Sequence, residues 1–355
     1  MSDFKQHLED LLNLAGQNNA SDIHLSPGNY PILRIDGRLV PLSDKKILDS
    51  ETLEGLASAL MGEEKKTRFL SEKELDFSYE SVQGTRFRVN VYLTQGRIAA
   101  TLRLIPGLIK NIDELNLPPI VKVFSKLSQG FVLVVGPNGH GKSTTLAALI
   151  DMINKERSEK IITVEDPIEY LFTPEKSIID QREVYQDTFS FHKALRSAFR
   201  ENVNVLMVGE MRDYETMSAA ITAAETGHLV FGTLHTNSAS QTIERIIDTF
   251  PPNQQSQIRN QLANTMSGII SQRLIPRIQG GLVPAVEVMI VTPAVRTLIR
   301  DNRPRQIDLV IETSQEAGMI SLNRSLADLT RRKEIALERA QFYSQNQSEL
   351  KELLR

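Results

Sequence analysis

Gly136-Pro137-Asn138-Gly139-His140-Gly141-Lys142-Ser143-Thr144 follows directly on the apolar run Phe131-Val132-Leu133-Val134-Val135. The run reads as a buried strand, and Thr144 to Ile153 reads as a helix with Leu146, Leu149, Ile150 and Ile153 on one side. Strand, glycine loop and helix stand in the order that a phosphate-binding loop requires, and the spacing G-x-x-x-x-G-K-S is its signature. Glycines at 136, 139 and 141 let the backbone turn so that successive N–H groups point at phosphates, while the helix N-terminus adds its partial positive charge. Lys142 is placed to reach the terminal phosphates and Ser143 to set its hydroxyl on Mg²⁺, so ATP with Mg²⁺ is the expected ligand.

Around that loop the pattern is β-α-β. Nearly continuous apolar runs at 131–135, 161–164, 205–208 and 229–234, separated by helical segments, imply an α/β domain with a parallel sheet covered on both faces. Ligands of such sheets gather at the carboxyl ends of the strands. There the chain sets the glycine loop, Glu165-Asp166, Gly209-Glu210 and His235. Hydrolysis of a phosphoanhydride needs a metal, a group that orients water, and positive charge for the transition state. Glu210, expected on the strand adjoining the glycine loop, suits the Mg²⁺ shell. Glu165 suits the attacking water, with Asp166 and Glu169 competing for that role. His235 suits either a sensor of the γ-phosphate or a helix cap.

Between these strands, Thr188 to Glu201 reads as a helix with Phe191, Leu195, Ala198 and Phe199 inward. Tyr214 to Thr226 reads as a small-residue helix stopped by Gly227. Arg212-Asp213 begins either a coupling loop or a plain salt bridge.

The first hundred residues differ in kind. A helix over residues 4–16 and another over Ser50 to Met61 alternate with short runs of period two, among them Ile32–Ile35 and Arg38–Val40 around an Asp36-Gly37 hairpin signal. This is an α+β pattern, closed by Pro106-Gly107. Arg86, Arg88, Arg97 and Arg103 cluster on two neighbouring strands, with Arg86 and Arg88 on one face. Taken alone the cluster reads as a solvated face; the sharper reading is that its guanidinium forks meet a nucleotide bound elsewhere.

Composition narrows the partners. The net charge of −3 and the lack of a Lys/Arg cluster with interleaved aromatics give no reason to expect nucleic acid. With no cysteine, disulfides and thiolate zinc sites are excluded. Neither a signal peptide nor an apolar run of spanning length is visible, so a cytoplasmic protein without direct membrane insertion is expected.

Four ordered motifs now carry a resemblance. The glycine loop, Val164-Glu165-Asp166-Pro167-Ile168-Glu169, Val208-Gly209-Glu210-Met211-Arg212-Asp213 and Ala224-Glu225-Thr226-Gly227-His228-Leu229-Val230-Phe231-Gly232-Thr233-Leu234-His235-Thr236 together resemble the secretion ATPase superfamily, and within it the type IV pilus retraction motors. The resemblance implies a homohexameric ring that hydrolyses ATP to retract pili in twitching motility. It implies a PAS-like N-terminal domain (1–106), a linker (107–118) and a RecA-like ATPase domain with C-terminal helices (119–355). It makes Glu165 the catalytic glutamate, Glu210 the Walker B acid, and His228 and His235 members of a His box. It sets the positions of Arg86, Arg88, Arg97 and Arg103 where the N-terminal domain faces nucleotide. It also implies a platform protein of the inner membrane as partner, at the cytoplasmic face.

Extension and type II secretion motors carry a four-cysteine metal site and a longer N-terminal region, which favours the retraction branch here. Pro293 to Asp301 is similar to a segment of the retraction motors and reads as a short helix with Val295, Leu298 and Ile299 inward and two exposed arginines. Accessory retraction ATPases and other secretion ATPases are the near alternatives. A RecA-like nucleic-acid translocase and a nucleotide-binding regulator without turnover are those from other classes. Two departures stand out: His140, where the motors carry a small residue and an outward side chain is expected, and Asn204 in place of an aspartate, expected at the far end of its strand from the phosphates. Gln341 to Arg355 reads as a solvated helical tail.

Overall fold

The computed structural model describes residues 3–35, 37–105 and 107–355. Asp36 of the hairpin signal, Pro106 at the expected domain end, and Met1-Ser2 lie outside the described residues. The chain divides into two units, Met1–Leu108 with Asp166–Leu171, and Ile109–Glu165 with Phe172–Arg355.

The first unit is α+β. Helix α1 (Asp3–Gln17) precedes β1 (Asp22–Leu25), β2 (Ile32–Ile35) and β3 (Arg38–Pro41); α2 (Ser50–Glu72) then leads to β4 (Glu74–Glu80), β5 (Arg86–Thr94) and β6 (Arg97–Leu104). All neighbours in the sheet β3-β2-β1-β6-β5-β4 are antiparallel. Period two in β5 sends Phe87, Val89 and Val91 into a core shared with Leu8, Leu11 and Leu12 of α1 and Leu53, Leu56 and Leu60 of α2. Arg86 and Arg88 take the opposite face. Helix α2 outruns its expected end at Met61: Gly62, at φ 64°, redirects the chain, and further helical turns bring Phe69 back into the core. The charged run Glu63-Glu64-Lys65-Lys66 hides this continuation from any search for an apolar stripe.

The second unit is α/β. Its ordered elements are β7 (Gly130–Val135), α3 (Lys142–Glu156), β8 (Lys160–Glu165), β9 (Ile178–Glu183), α4 (Phe191–Ala198), β10 (Val205–Val208), α5 (Tyr214–Glu225), β11 (Leu229–Leu234), α6 (Ala239–Thr249), α7 (Gln255–Thr265), β12 (Met266–Pro276), β13 (Leu282–Ile290), and helices α8 (Pro293–Arg300), α9 (Ile307–Thr313), α10 (Leu322–Arg331), α11 (Leu337–Tyr343) and α12 (Gln347–Leu354). The sheet runs β13-β12-β7-β11-β10-β8-β9 and is parallel except for β13, which turns back antiparallel on β12. The four apolar runs form the parallel sheet expected of them, and β13, outside those runs, adds the antiparallel edge. Residues 119–126 form a 3-10 helix ahead of β7.

Other expectations are corrected by packing. Helix α4 is shorter than Thr188–Glu201, begins at the Ser190 cap, and leaves Phe199 exposed rather than inward. In α8, Val295 and Ile299 are buried and Arg300 is exposed, but Arg296 is half-buried and donates to the Ala263 and Asn264 carbonyls that end α7. Residues 341–355 are not a solvated tail: Leu350 is buried with Leu322, Leu326 and Ile335, and Leu353 and Leu354 pack against them. Asn204 sits at the start of β10, where its side chain accepts the Lys160 N–H at 2.9 Å and its carbonyl accepts the Leu229 N–H at 3.0 Å. It fastens three strands at the end opposite the glycine loop.

Glu287 of β13 is buried and accepts the Ala239 N–H that opens α6 at 2.7 Å. Burial, aided by the charges of Asp308 and Glu349 and opposed by that N–H and by Arg273, pushes its carboxyl up to about 7. An acid whose pKa is raised by folding holds its proton after the unfolded chain has lost its own, so stability falls as pH rises from the ordinary 4.5 through about 7. Glu287→Gln should therefore melt higher than the parent at about pH 8, with the gap closing towards about pH 5. A gap independent of pH in thermal melts would contradict the buried, protonated acid.

Candidate nucleotide-binding site

The glycine loop leaves β7 at Val135 and enters α3 at Lys142, with Gly136, Gly139 and Gly141 at φ 147°, 75° and 79°. Gly136 is required by space as well as by backbone angle, because it meets backbone, whereas Gly141 meets the end of a side chain. A Cβ on Gly136 would overlap the Gln272 carbonyl oxygen, and one on Gly141 would lie 2.9 Å from Gln272 Nε2. Around Gly139 there is open space. Asn138 and Gly139 form the turn of the loop after a bend at Pro137, while Ser143 and Thr144 lie in the first turn of α3, half-buried.

From Lys142 a polar chain crosses the sheet edge. Lys142, buried, donates from Nζ to the Pro137 carbonyl at 3.0 Å and lies 3.2 Å from His235 Nδ1. The other ring nitrogen of His235 is 2.7 Å from Glu210 Oε1, and Arg212 grips the same carboxylate at 2.6 Å. Burial pushes the Glu210 carboxyl up, but the hydrogen bond and charge of Arg212 and the charge of His235 outweigh it and hold the carboxyl below its ordinary range. Glu210 is thus an anion at neutral pH.

The strand order corrects one expectation. Glu210 follows β10, which does not adjoin β7; β11 lies between them. His235, at the end of β11, fills the gap, so the histidine links the loop lysine to the acid. Glu165 ends β8, on the far side of β10, and is 7 % exposed. Its Oε1 accepts the Thr163 hydroxyl at 2.7 Å and lies 3.3 Å from the Gln181 amide. Asp166 and Glu169 belong to the segment grouped with the first unit, where Glu169 lies 3.4 Å from Arg88 Nη1.

His140 does not point outward. Its Nδ1 accepts the backbone N–H of Leu274 at 2.8 Å, and Gln272 donates to its carbonyl at 2.8 Å. Burial and the charges of Arg273 and Lys142 lower its pKa, favouring the neutral ring. Gln272 and Arg273 were not singled out by the sequence reading. Arg273 donates to the Asn237 carbonyl at 3.1 Å and to its side-chain oxygen at 2.8 Å, which ties β12 to the loop after His235. No motif announces these two: they are recognisable only once β12 is known to flank β7.

His228 is not brought to this edge. It precedes β11, seven residues before His235 or about 23 Å along a strand, and lies 2.9 Å from the Ala223 carbonyl near the end of α5 and edge-on to Phe199. In the first unit, Arg88 and Arg103 face each other across β5 and β6, with Arg86 two residues from Arg88. Each arginine has a local acid: Arg86 with Glu80 at 3.7 Å, Arg88 with Asp76 at 2.5 Å, Arg103 with Asp22 at 2.9 Å. Arg97 stands apart at the hairpin end of β6, opposite Thr94.

A magnesium ion fits the donor set. Among the described residues no group of three or more His, Asp or Glu side chains can hold a metal alone. Ser143 and the anionic Glu210 offer hard oxygens that leave most of the shell to phosphate and water, as Mg²⁺ prefers. Among the described residues no helix is long and apolar enough to cross a membrane.

Comparison with known proteins shows the family. Residues 3–303 match the family model described as type II/IV secretion system protein. The chain is 42 % identical to the type IV pilus retraction ATPase PilT of Pseudomonas aeruginosa, over 94 % of this chain and 96 % of that protein. It is 34 % identical to the type IV pilus ATPase PilU of the same organism, over 98 % of this chain and 91 % of that one. A crystal structure of the pilus retraction motor PilT with bound ADP superposes with a TM-score of 0.90 at 45 % identity, covering 97 % of this chain and 98 % of that one.

The two kinds of glycine are separable by experiment. Gly139→Ala should cost only its backbone strain, about 1–3 kcal/mol, whereas Gly136→Ala adds a clash with Gln272 and should lose binding of fluorescent ADP altogether. Equal affinities in the two variants would contradict the close approach of β12.

Proposed function

The chain belongs to the type II/IV secretion system protein family, and we propose that it is an ATP-hydrolysing motor that retracts type IV pili and so drives twitching motility. The observation that carries the chemistry is the chain from Lys142 through His235 to Glu210 at the mouth of the glycine loop. Likeness over nearly the full length of a retraction ATPase supports the direction of work, and 42 % identity to it against 34 % to PilU favours the principal over the accessory role.

In this reading the loop N–H groups and the N-terminus of α3 cradle the phosphates. Lys142 exchanges the Pro137 carbonyl for phosphate oxygens, its buried stem aiming the charge. Mg²⁺, held by Ser143 and Glu210, supplies neutralising charge on the phosphates when bound. Glu165, one oxygen anchored by Thr163 and Gln181, orients the attacking water. His235 touches both Lys142 and Glu210, so loss of the γ-phosphate can be passed from one to the other and on to Arg212. His228 acts away from the phosphates, at the base of the same strand.

We assign residues 1–106 to a PAS-like domain, 107–118 to a linker and 119–355 to a RecA-like ATPase domain, assembled as a homohexamer. The motor works at the cytoplasmic face of the inner membrane through a platform protein. Within the ring, Arg86, Arg88 and Arg103 act on nucleotide held by a neighbouring copy. Asp76 and Glu169 keep Arg88 extended until phosphate competes for it. The net charge of −3 counts against a nucleic-acid track.

Lys142→Ala and Glu210→Ala should abolish ATP hydrolysis while far-ultraviolet circular dichroism stays that of the parent; undiminished turnover in either variant would sink the assignment. Arg88→Ala should lower turnover by about tenfold or more in assembled rings, on the scale of a lost charged contact to phosphate. Unchanged turnover there would leave the arginines a solvated face.

A further inference from the structure

Strand β12 overhangs β7. The two pair in parallel only as far as Ser271 opposite Val135, yet β12 runs on to Pro276. Leu274 lies on this overhang, opposite Pro284 of β13, and on the side that β7 has vacated its backbone N–H needs an acceptor. His140 Nδ1 supplies it at 2.8 Å. Two residues earlier Gln272, 3 % exposed, donates to the His140 carbonyl and receives the Thr145 hydroxyl, each at 2.8 Å. One buried amide thus holds both the end of the glycine loop and the first turn of α3. The loop that these ties hold carries three glycines at positive φ, Gly136, Gly139 and Gly141, a composition that leaves a free loop many shapes.

We propose that His140 and Gln272 fasten the phosphate-binding loop to β12 and hold it in the shape that receives phosphate, with His140 as a positioning residue acting through its neutral imidazole. This rests on the nucleotide reading above and adds to it the source of the loop's order. The charged groups that act on His140, Arg273 from β12 and Lys142 from α3, are both positive and favour the neutral ring whose lone pair Leu274 uses. Protonation would set an N–H against an N–H. A small residue at position 140 has no atom that reaches Leu274, so the tie belongs to histidine or to a side chain of the same reach.

Asparagine has that reach, since its Oδ1 stands the same number of bonds from Cα as Nδ1 does. The full chain is compared with His140→Ala and His140→Asn by two measurements. Without nucleotide, hydrogen–deuterium exchange at the Leu274 amide should speed up about tenfold in the alanine variant and return most of the way in the asparagine variant. With Mg²⁺ and fluorescent ADP, the alanine variant should bind about five- to tenfold more weakly, the worth of one hydrogen bond, and asparagine should recover most of the loss. For ATP turnover, KM should rise more than kcat falls, because the loss is in ordering the loop before chemistry. Unchanged exchange in His140→Ala overturns the fastening. Faster exchange with unchanged affinity, or asparagine behaving like alanine, overturns the positioning role. A parent chain that binds no nucleotide overturns the nucleotide reading and the positioning role with it. The exchange result, which needs no ligand, separates that outcome from failure of the fastening.

Discussion

Everything chemical in this molecule depends on β7, β11, β10 and β8 running in one direction, so that their carboxyl ends lie along a single edge. Parallel pairing sets the glycine loop, His235, Glu210 and Glu165 in a row whose spacing is the spacing of strands, about 4.8 Å per step. No local attraction among these side chains could assemble them. The buried strand cores do so: Leu133, Val164, Leu206 and Val230 lie in one apolar cluster beneath that edge. Asn204, tying β8, β10 and β11 at the opposite end, keeps the same register from below.

Much of this was legible in the chain. A run such as Val205-Leu206-Met207-Val208 followed by Gly209-Glu210 announces a buried strand and the acid at its end, and the strand found there matches the run residue for residue. What sequence order cannot give is spatial order. Glu210 was expected beside the glycine loop because nothing in the chain says that the later strand, β11, slips between β7 and β10. The consequence is chemical, since His235 becomes the link between Lys142 and Glu210 instead of a neighbour of both. Elements whose burial comes from tertiary contact were hidden as well. Strand β9 has no apolar run, and residues 341–355 look polar until Leu350 is seen against Leu322 and Leu326.

The site is also defined from its flank. Gly136, Gly141, His140 and Thr145 all meet Gln272 of β12, and His140 meets Leu274 as well. Arg273 extends the same strand's reach to Asn237, just past His235. A loop of glycines can thus be an ordered cradle before any phosphate arrives, which reduces the ordering cost of binding. The arginines of the first unit follow a different logic. Arg86, Arg88 and Arg103 are each held by a carboxylate of their own unit, so any action on phosphate is a competition between anions.

Hydrolysis at this edge is spent on withdrawing pili. Counting surface pili by electron microscopy after deletion of the gene in its host tests it most directly. A retraction motor predicts pili that persist or accumulate while twitching stops. Pili that vanish, or twitching that continues unchanged, would contradict it.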